Sequence, residues 1–369
     1  MGRERLAGPG WKVELEEFSC RPGWALTYAL HAAVAVVGSA LSVSAPLPGA
    51  LLVSIAVLLT FLDATGVLLT TRRLFGRRRS QNVVARGRAG GGVLVLVAHC
   101  DSGPGGVAFE PGLTRLRARL TRALRYELGL LQPLWWALLA VGLCCLLRLL
   151  GLEGNALTII QFVPTVVLIV AVALLLDVAL APPSPGIDDA SGPALALALA
   201  ERHRDGLGQL QLWVVLTGAQ EAFAQGMRAF LRRHRAELAP ERTLFVNLDG
   251  VGAGQPRFTR REGPLLAIRS HPQLVRLCEE IAEDSEVEHV RGIVNHAASD
   301  GYAASAAGYA AITLTCRPAV GQRRPGDALD HVDPAAFEQA ASFCDELVRR
   351  LDLELRSSVP GAPRAPSKA

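Results

Sequence analysis

Val93-Leu-Val-Leu-Val-Ala-His-Cys-Asp101 runs six apolar residues, mostly strand formers, straight into a histidine and an acid. An unbroken apolar run without alternation is the pattern of a strand buried on both faces, as in a parallel sheet covered by helices. Leu210 to Leu216, Thr243 to Leu248 and Ala310 to Thr315 repeat the pattern. Between and after these runs, Pro193 to His203, a stretch ending near His234, Pro272 to Ile281 and Pro334 to Leu351 read as helices. Strands alternating with helices predict an α/β domain, a mostly parallel mixed sheet flanked by helices.

Open sheets of this kind place their sites just beyond the strand ends. His99 and Asp101 follow the first run, Gln220 and Glu221 the second and Asp249 the third; His331 lies in a loop after the fourth. Gly186-Ile-Asp-Asp-Ala-Ser-Gly192 leads into a helix. Taken singly, each is ordinary: an Asp before Gly is usually a turn, and an Asp-Asp-x-Ser run is usually a helix N-cap. Two histidines and several carboxylates at neighbouring strand ends form a donor set that suits zinc.

The chain has 369 residues, half of them apolar, and its net charge is +4. The mean hydropathy of +0.28 exceeds what one soluble core needs. Four stretches are long enough to cross a bilayer, which takes roughly 20 apolar residues each: about Trp24 to Val43, Leu47 to Leu69, Leu134 to Leu152 and Leu157 to Ala181. Arginines crowd residues 71 to 88 (Arg72, Arg73, Arg77, Arg78, Arg79, Arg86, Arg88) and 113 to 127 (Arg115, Arg117, Arg119, Arg122, Arg125), whereas the loops inside each pair of spans carry no charge except Glu153. Positive charge flanking spans stays in the cytoplasm. The sequence therefore predicts a multi-pass integral membrane protein, with the lipid bilayer as a partner and its α/β domain cytoplasmic. No basic patch interleaved with aromatics is present, so nucleic acid is not an expected partner. Seven cysteines, an odd number without a CxxC pair, fit reduced thiols rather than a disulfide framework.

The domain organisation predicted is an N-terminal cytoplasmic segment (1–23), a first transmembrane hairpin (24–70), the first part of the α/β domain (71–112), an inserted amphipathic segment with a second hairpin (113–181), the rest of the domain (182–356) and an unstructured Pro/Ser/Ala-rich tail (357–369). Because both ends of the insertion lie on one side of the membrane, an even number of spans interrupts the domain without breaking it.

Six stretches in this order, Leu96-Val-Ala-His-Cys-Asp-Ser102, Pro185-Gly-Ile-Asp-Asp-Ala-Ser-Gly192, Thr217-Gly-Ala-Gln-Glu221, Asn247-Leu-Asp-Gly250, Ser299-Asp300 and Asp330-His-Val-Asp333, resemble metallopeptidase family 28, the di-zinc aminopeptidase and glutamate carboxypeptidase type. The resemblance covers about residues 80 to 112 and 182 to 352 and implies a zinc exopeptidase-like fold. It implies two Zn2+ ions, one held by His99 and Asp249, the second by Glu221 and His331, with Asp188 bridging. Asp188 rather than Asp189 takes that role because the family's bridging Asp stands four residues before the Gly of the Ser-Gly pair, here Gly192. A carboxylate can bridge two cations and an imidazole cannot. The resemblance gives Asp101 the task of fixing the His99 tautomer, and places Ser299 and Asp300 at the substrate pocket.

The activity implied is hydrolysis of N-terminal peptide bonds, with a peptide as substrate and the metals polarising the scissile carbonyl. Two departures stand out. The segment between His99 and Asp188, usually short, holds the second hairpin. At the family's general-base position stands Gln220, whose carboxamide cannot take a proton; the alternative function is therefore a catalytically impaired homologue that binds metal or peptide at the membrane. At the last motif, Val332 and Asp333 follow His331 where the family commonly has Thr with an Asp further on.

Overall fold

The computed structural model describes Leu6, residues 10–284, 290–318, Arg323 and residues 327–358, apart from the side chains of 187–189 and 355–358. The tail beyond residue 358 lies outside the described residues.

Nine strands form one mixed sheet: β1 (Lys12–Cys20), β2 (Arg78–Arg86), β3 (Gly92–His99), β4 (Leu210–Thr217), β5 (Thr243–Leu248), β6 (Gln255–Glu262), β7 (Ile268–Arg269), β8 (Arg291–Asn295) and β9 (Ala310–Arg317). Their order is β1-β2-β4-β3-β5-β9-β6-β7, with β8 beside β6. The centre, β4-β3-β5-β9, is parallel, and β1, β2 and β6 extend it antiparallel. These central strands are the continuous apolar runs, and nearly every residue of β3 and β4 is buried. With both faces covered, a one-residue slip would carry every side chain to the wrong face, so the register is fixed.

Ten helices complete the fold: α1 (Trp24–Leu41), α2 (Pro46–Ala64), α3 (Pro111–Leu124), α4 (Gln132–Leu149), α5 (Asn155–Leu180), α6 (Ile187–Arg202), α7 (Gln225–His234), α8 (Pro272–Asp284), α9 (Asp300–Ala306) and α10 (Pro334–Ser358). Leu195, Leu199, Leu274, Leu277, Phe343 and Leu347 from α6, α8 and α10 pack on one face of the sheet. Met227, Phe230 and Ala303 from α7 and α9 pack on the other. Two elements differ from the sequence reading. Helix α6 starts at Ile187 and carries Pro193 inside its second turn, where the ring removes one i→i−4 hydrogen bond. Lys12–Cys20, expected only to precede the first span, is an edge strand paired with β2 along its whole length.

Helices α1, α2, α4 and α5 are long and apolar enough to cross a membrane. They pack as two hairpins, α1 against α2 and α5, and α4 against α2 and α5. Gly49 lets α1 and α2 touch, since a Cβ there would meet the Ser42 nitrogen at 2.4 Å. Several polar groups inside the bundle are paired: Arg148 donates to Gln161 Oε1 (2.8 Å) and Thr158 Oγ1 (2.9 Å), and Gln161 donates to Ser39 Oγ (2.8 Å). One end of the bundle sits on the α/β domain, where Trp24, Tyr28 and Leu131 share a cluster with Phe223 and Leu265.

The second hairpin enters and leaves the domain through a narrow neck. Pro104 and Pro183 form an antiparallel bridge, Gly105 donates to the Pro182 carbonyl (3.0 Å) and Ser184 to that of Gly103 (3.0 Å). The neck begins four residues after His99 and closes shortly before Asp188.

Candidate metal centre and cavity

The parallel centre of the sheet delivers its carboxyl ends to one place. His99 ends β3, Gln220 and Glu221 follow β4, and Asp249 follows β5. His99 is buried, and its Nε2 lies 3.6 Å from Asp249 Oδ1. Burial alone would raise the Asp249 pKa; its hydrogen bond with His99 and the His99 charge outweigh that and hold it below the ordinary carboxylate range. Gln220 is buried and donates its amide to Asp249 Oδ2 at 3.3 Å. Burial pushes the Glu221 carboxyl up, opposed by the Arg323 guanidinium with which it is ion-paired.

Asp101 acts differently from the expectation. Its backbone carbonyl, not its carboxylate, is the nearer partner of His99 Nδ1, at 2.9 Å against 3.5 Å. The carboxylate instead accepts the backbone N–H groups of Gln220 (2.9 Å) and Glu221 (3.0 Å). It ties the β4 loop to the β3 loop and so sets where Glu221 points. Gly103 serves the same end by absence, since a Cβ there would meet the Glu221 carboxyl carbon at 2.8 Å.

The Glu221 loop is strained and braced. Ala219, Phe223 and Ala224 have φ of 56°, 71° and 53°, the left-handed region that non-glycine residues seldom occupy. Arg72 Nη1 donates to the Ala222 carbonyl at 2.9 Å, while its other nitrogens hold Asp63 at 2.6–2.9 Å. Gln225 bonds the Arg21 backbone twice, each at 2.9 Å, and Asn82 accepts from Gly218 (3.1 Å) and donates to the Gly226 carbonyl (3.0 Å). Sequence reasoning missed Arg72 in this role, because nothing distinguishes it from the other arginines of its run.

Other expected site residues fall elsewhere. Ser299 and Asp300 do not line the cavity; both are fully buried below it. Ser299 caps α9, accepting the Tyr302 N–H at 3.0 Å. Asp300 accepts from the Thr217 hydroxyl, and burial pushes its pKa up to about 7. His331 is exposed in the turn Leu329–His331, and no ion pair joins it to Glu221 among the described residues. The Asp188 side chain lies outside the described residues; its backbone is in the first turn of α6. Among the described residues, no group of three or more His, Cys, Asp and Glu is gathered at metal-binding distance. The residue types nevertheless suit a divalent cation: an imidazole and two carboxylates stand at neighbouring strand ends, and Glu221 holds a cationic group, the Arg323 guanidinium.

Gln220, Glu221 and Asp249 open into a cavity of about 800 Å3. Helix α3 forms one wall with Arg115, Arg117 and Arg122; Arg317 and Arg323 stand on another, and Trp24, Phe223 and Leu131 form the side towards the bundle. Desolvation and the nearby guanidiniums of Arg317 and Arg323 lower the Arg117 pKa. His296, which the sequence left without a role, lines the cavity and lies 3.1 Å from Gln132 Nε2.

Residues 176–348 match the family model of peptidase family M28. Over this stretch, just under half of the chain, the sequence is similar to peptidase family M28. No curated protein matches the sequence. Among solved structures, a glutaminyl cyclase from Fimbriiglobus ruber is 15% identical, with 94% of this chain and 84% of that chain covered and a TM-score of 0.50. A zinc aminopeptidase from Bacillus subtilis is 13% identical (74% of this chain, 50% of that chain, TM-score 0.45). An aminopeptidase from Aneurinibacillus sp. strain AM-1 is 16% identical (74% and 48%, TM-score 0.44). At these identities the likeness is one of fold. The chain spans about half the length of the two aminopeptidases.

Proposed function

We propose that the chain is a membrane-anchored zinc exopeptidase, an aminopeptidase that releases N-terminal residues from peptides, with its M28 domain on the cytoplasmic side. The observation that carries this reading is the meeting of His99, Gln220, Glu221 and Asp249 at the ends of β3, β4 and β5, beside a cavity of peptide size. In this reading His99 and Asp249 hold one zinc, Glu221 and His331 the other, and Asp188 bridges them. Bound zinc would supply the electrophile that polarises the scissile carbonyl. The protein's own groups do the rest. Asp101 fixes the backbone of residues 220 and 221, Arg72 holds the loop from behind, and the cavity arginines draw in acidic groups of the peptide. Gln220 orients Asp249 and can donate a hydrogen bond, but it cannot take up a proton.

Membrane placement is supported by the four apolar helices, above all α5, whose apolar window is only 17% buried. Ile159, Ile160, Phe162 and Val163 are all more than 60% exposed, an uncovered apolar face that water would not tolerate. The bundle end at the α/β domain is flanked by arginines, and the far loops are almost uncharged, which supports a cytoplasmic domain in this reading. The two hairpins then form one membrane unit, and residues 71–112 with 182–356 one catalytic unit.

The test is metal content together with turnover of aminoacyl anilides by the purified full chain. N-terminal glutaminyl peptides belong in the panel, because a glutaminyl cyclase shares the fold. Zinc near two per chain with hydrolysis supports the proposal. Zinc without turnover of any substrate favours the second reading, a metal- or peptide-binding module, which the amide at Gln220 motivates.

A further inference from the structure

Helix α3 lies between two fixed points. Just before it, the Val107 N–H donates to Asp177 Oδ2 at 2.6 Å, near the end of α5. Just after it, the Tyr126 hydroxyl donates to Gln132 Oε1 at 3.1 Å, at the start of α4. Both anchors are at the end of the bundle that meets the α/β domain. A helix tied at each end to that level runs along the membrane surface rather than away from it.

Its faces are divided. Arg115, Arg117, Ala118, Thr121 and Arg122 look into the cavity. Leu116, Leu120 and Leu124 do not; they are 49%, 45% and 62% exposed. At about 100° per residue these three fall within roughly 80° of arc, a leucine stripe away from the cavity. Arg119, exposed, borders that stripe on one side, and no acidic residue occurs between Pro111 and Tyr126.

We propose that α3 is an interfacial helix seated on an acidic lipid surface, with Leu116, Leu120 and Leu124 among the acyl chains, Arg119 on lipid phosphates, and the opposite face closing the cavity. An exposed apolar stripe bordered by arginines is how helices lie in the headgroup region. Each arginine near an acidic leaflet strengthens association on the order of fivefold. The same element therefore touches both the bilayer and the substrate cavity, and lipid composition sets how firmly the cavity is roofed. The inference rests on the membrane placement proposed above and is independent of peptidase activity.

The experiment uses the full chain in vesicles of phosphatidylcholine alone or mixed with phosphatidylglycerol, with an environment-sensitive fluorophore at Leu120 and a quencher on the lipid headgroups. A second sample carries the fluorophore at Ile160, on the exposed face of α5, with a quencher on the acyl chains. The expected result is quenching at both positions, rising at Leu120 with phosphatidylglycerol. In R119Q the rise at Leu120 should largely disappear, and its full persistence would overturn the role given to Arg119. A Leu120 probe that stays in water while the Ile160 probe is quenched overturns the inference alone. If both stay in water, the membrane placement falls and the inference with it.

Discussion

The guanidinium of Arg72, just beyond the first hairpin, donates to the carbonyl of Ala222, the residue after Glu221. The same guanidinium neutralises the buried Asp63 at the end of α2. One side chain therefore joins the end of the apolar bundle to the loop that carries a candidate zinc ligand. R72M should destabilise the protein by about 3–5 kcal/mol, since it strands a buried carboxylate. D63L/R72M, which removes both charges, should recover most of the stability, read as the thermal midpoint in detergent. Hydrolysis should stay low, because the strained loop has lost a brace. Recovery of both properties in the double variant would show that Arg72 does not position the loop.

Gln220 is the residue on which the assignment of activity turns. Q220E supplies a carboxylate where the cavity now has an amide, and a general base accelerates hydrolysis by ~10²–10⁴. Its cost is predictable. Gln220 Nε2 now donates to Asp249 Oδ2, and two carboxylates there repel each other unless a cation intervenes. The variant should therefore have a lower thermal midpoint than the native protein without zinc, and the gap should close on adding it. An unchanged midpoint in both conditions would mean that residue 220 does not face the metal.

Gly103 touches the Glu221 carboxyl where any side chain would intrude. G103A should shift that carboxylate and weaken zinc binding by about 10–100-fold, the usual effect of disturbing a ligand's support. Competition with a chromogenic chelator measures it. Native affinity in G103A would place the second zinc ligand elsewhere.

His234 ties the edge strand β1 to α7, with Nε2 2.6 Å from Glu16 and Nδ1 3.0 Å from Glu237. Burial alone would lower its pKa; the hydrogen bonds to Glu16 and Glu237 outweigh this and raise it above 6.5. The folded state thus binds the proton more tightly than the unfolded one. The stabilisation is complete below the unfolded pKa of about 6.5 and is lost as pH rises through the higher folded value. Hydrogen exchange of the β1 amides should accelerate over that window in the native protein but not in E16Q.

Glu262 works in the opposite sense. Burial pushes its pKa up to about 7 despite hydrogen bonds to Thr313 and Asn295. The folded state retains a proton that the unfolded chain releases near 4.5. Stability should fall as pH climbs from about 4.5 towards 7 and then level off. E262Q, which keeps the shape and both partners, should flatten that part of the thermal-midpoint profile.

The central strands were legible because burial on both faces leaves an unbroken apolar run, as in Val93 to Ala98. The spans were legible for the same reason. Strands outside the parallel centre, such as β1 and β6, read as polar segments, because Glu16 and Glu262 are buried only through partners distant in sequence. At the site, residues placed by strand ends were visible, while those placed by tertiary contact were not. Arg72, Asn82 and Arg323 carry no local mark of reaching the β4 loop. Ser299 and Asp300 form a recognisable pair, yet one is used in capping a helix and the other in bonding Thr217, and neither reaches the cavity.

The neck at Pro104 and Pro183 also has a consequence for how the protein is made. β3 pairs with β4 and β5, and both lie beyond the second hairpin in sequence. On the ribosome, β3 is complete before either neighbour exists. Both hairpins emerge before β4, and in the proposed placement an apolar strand would wait unpaired between them at the membrane surface, a state open to aggregation. Embedding the hairpins would hold the two sides of the neck close together, so that β4 arrives at a β3 already tethered and oriented. The bilayer would then act as the template on which the catalytic domain is assembled.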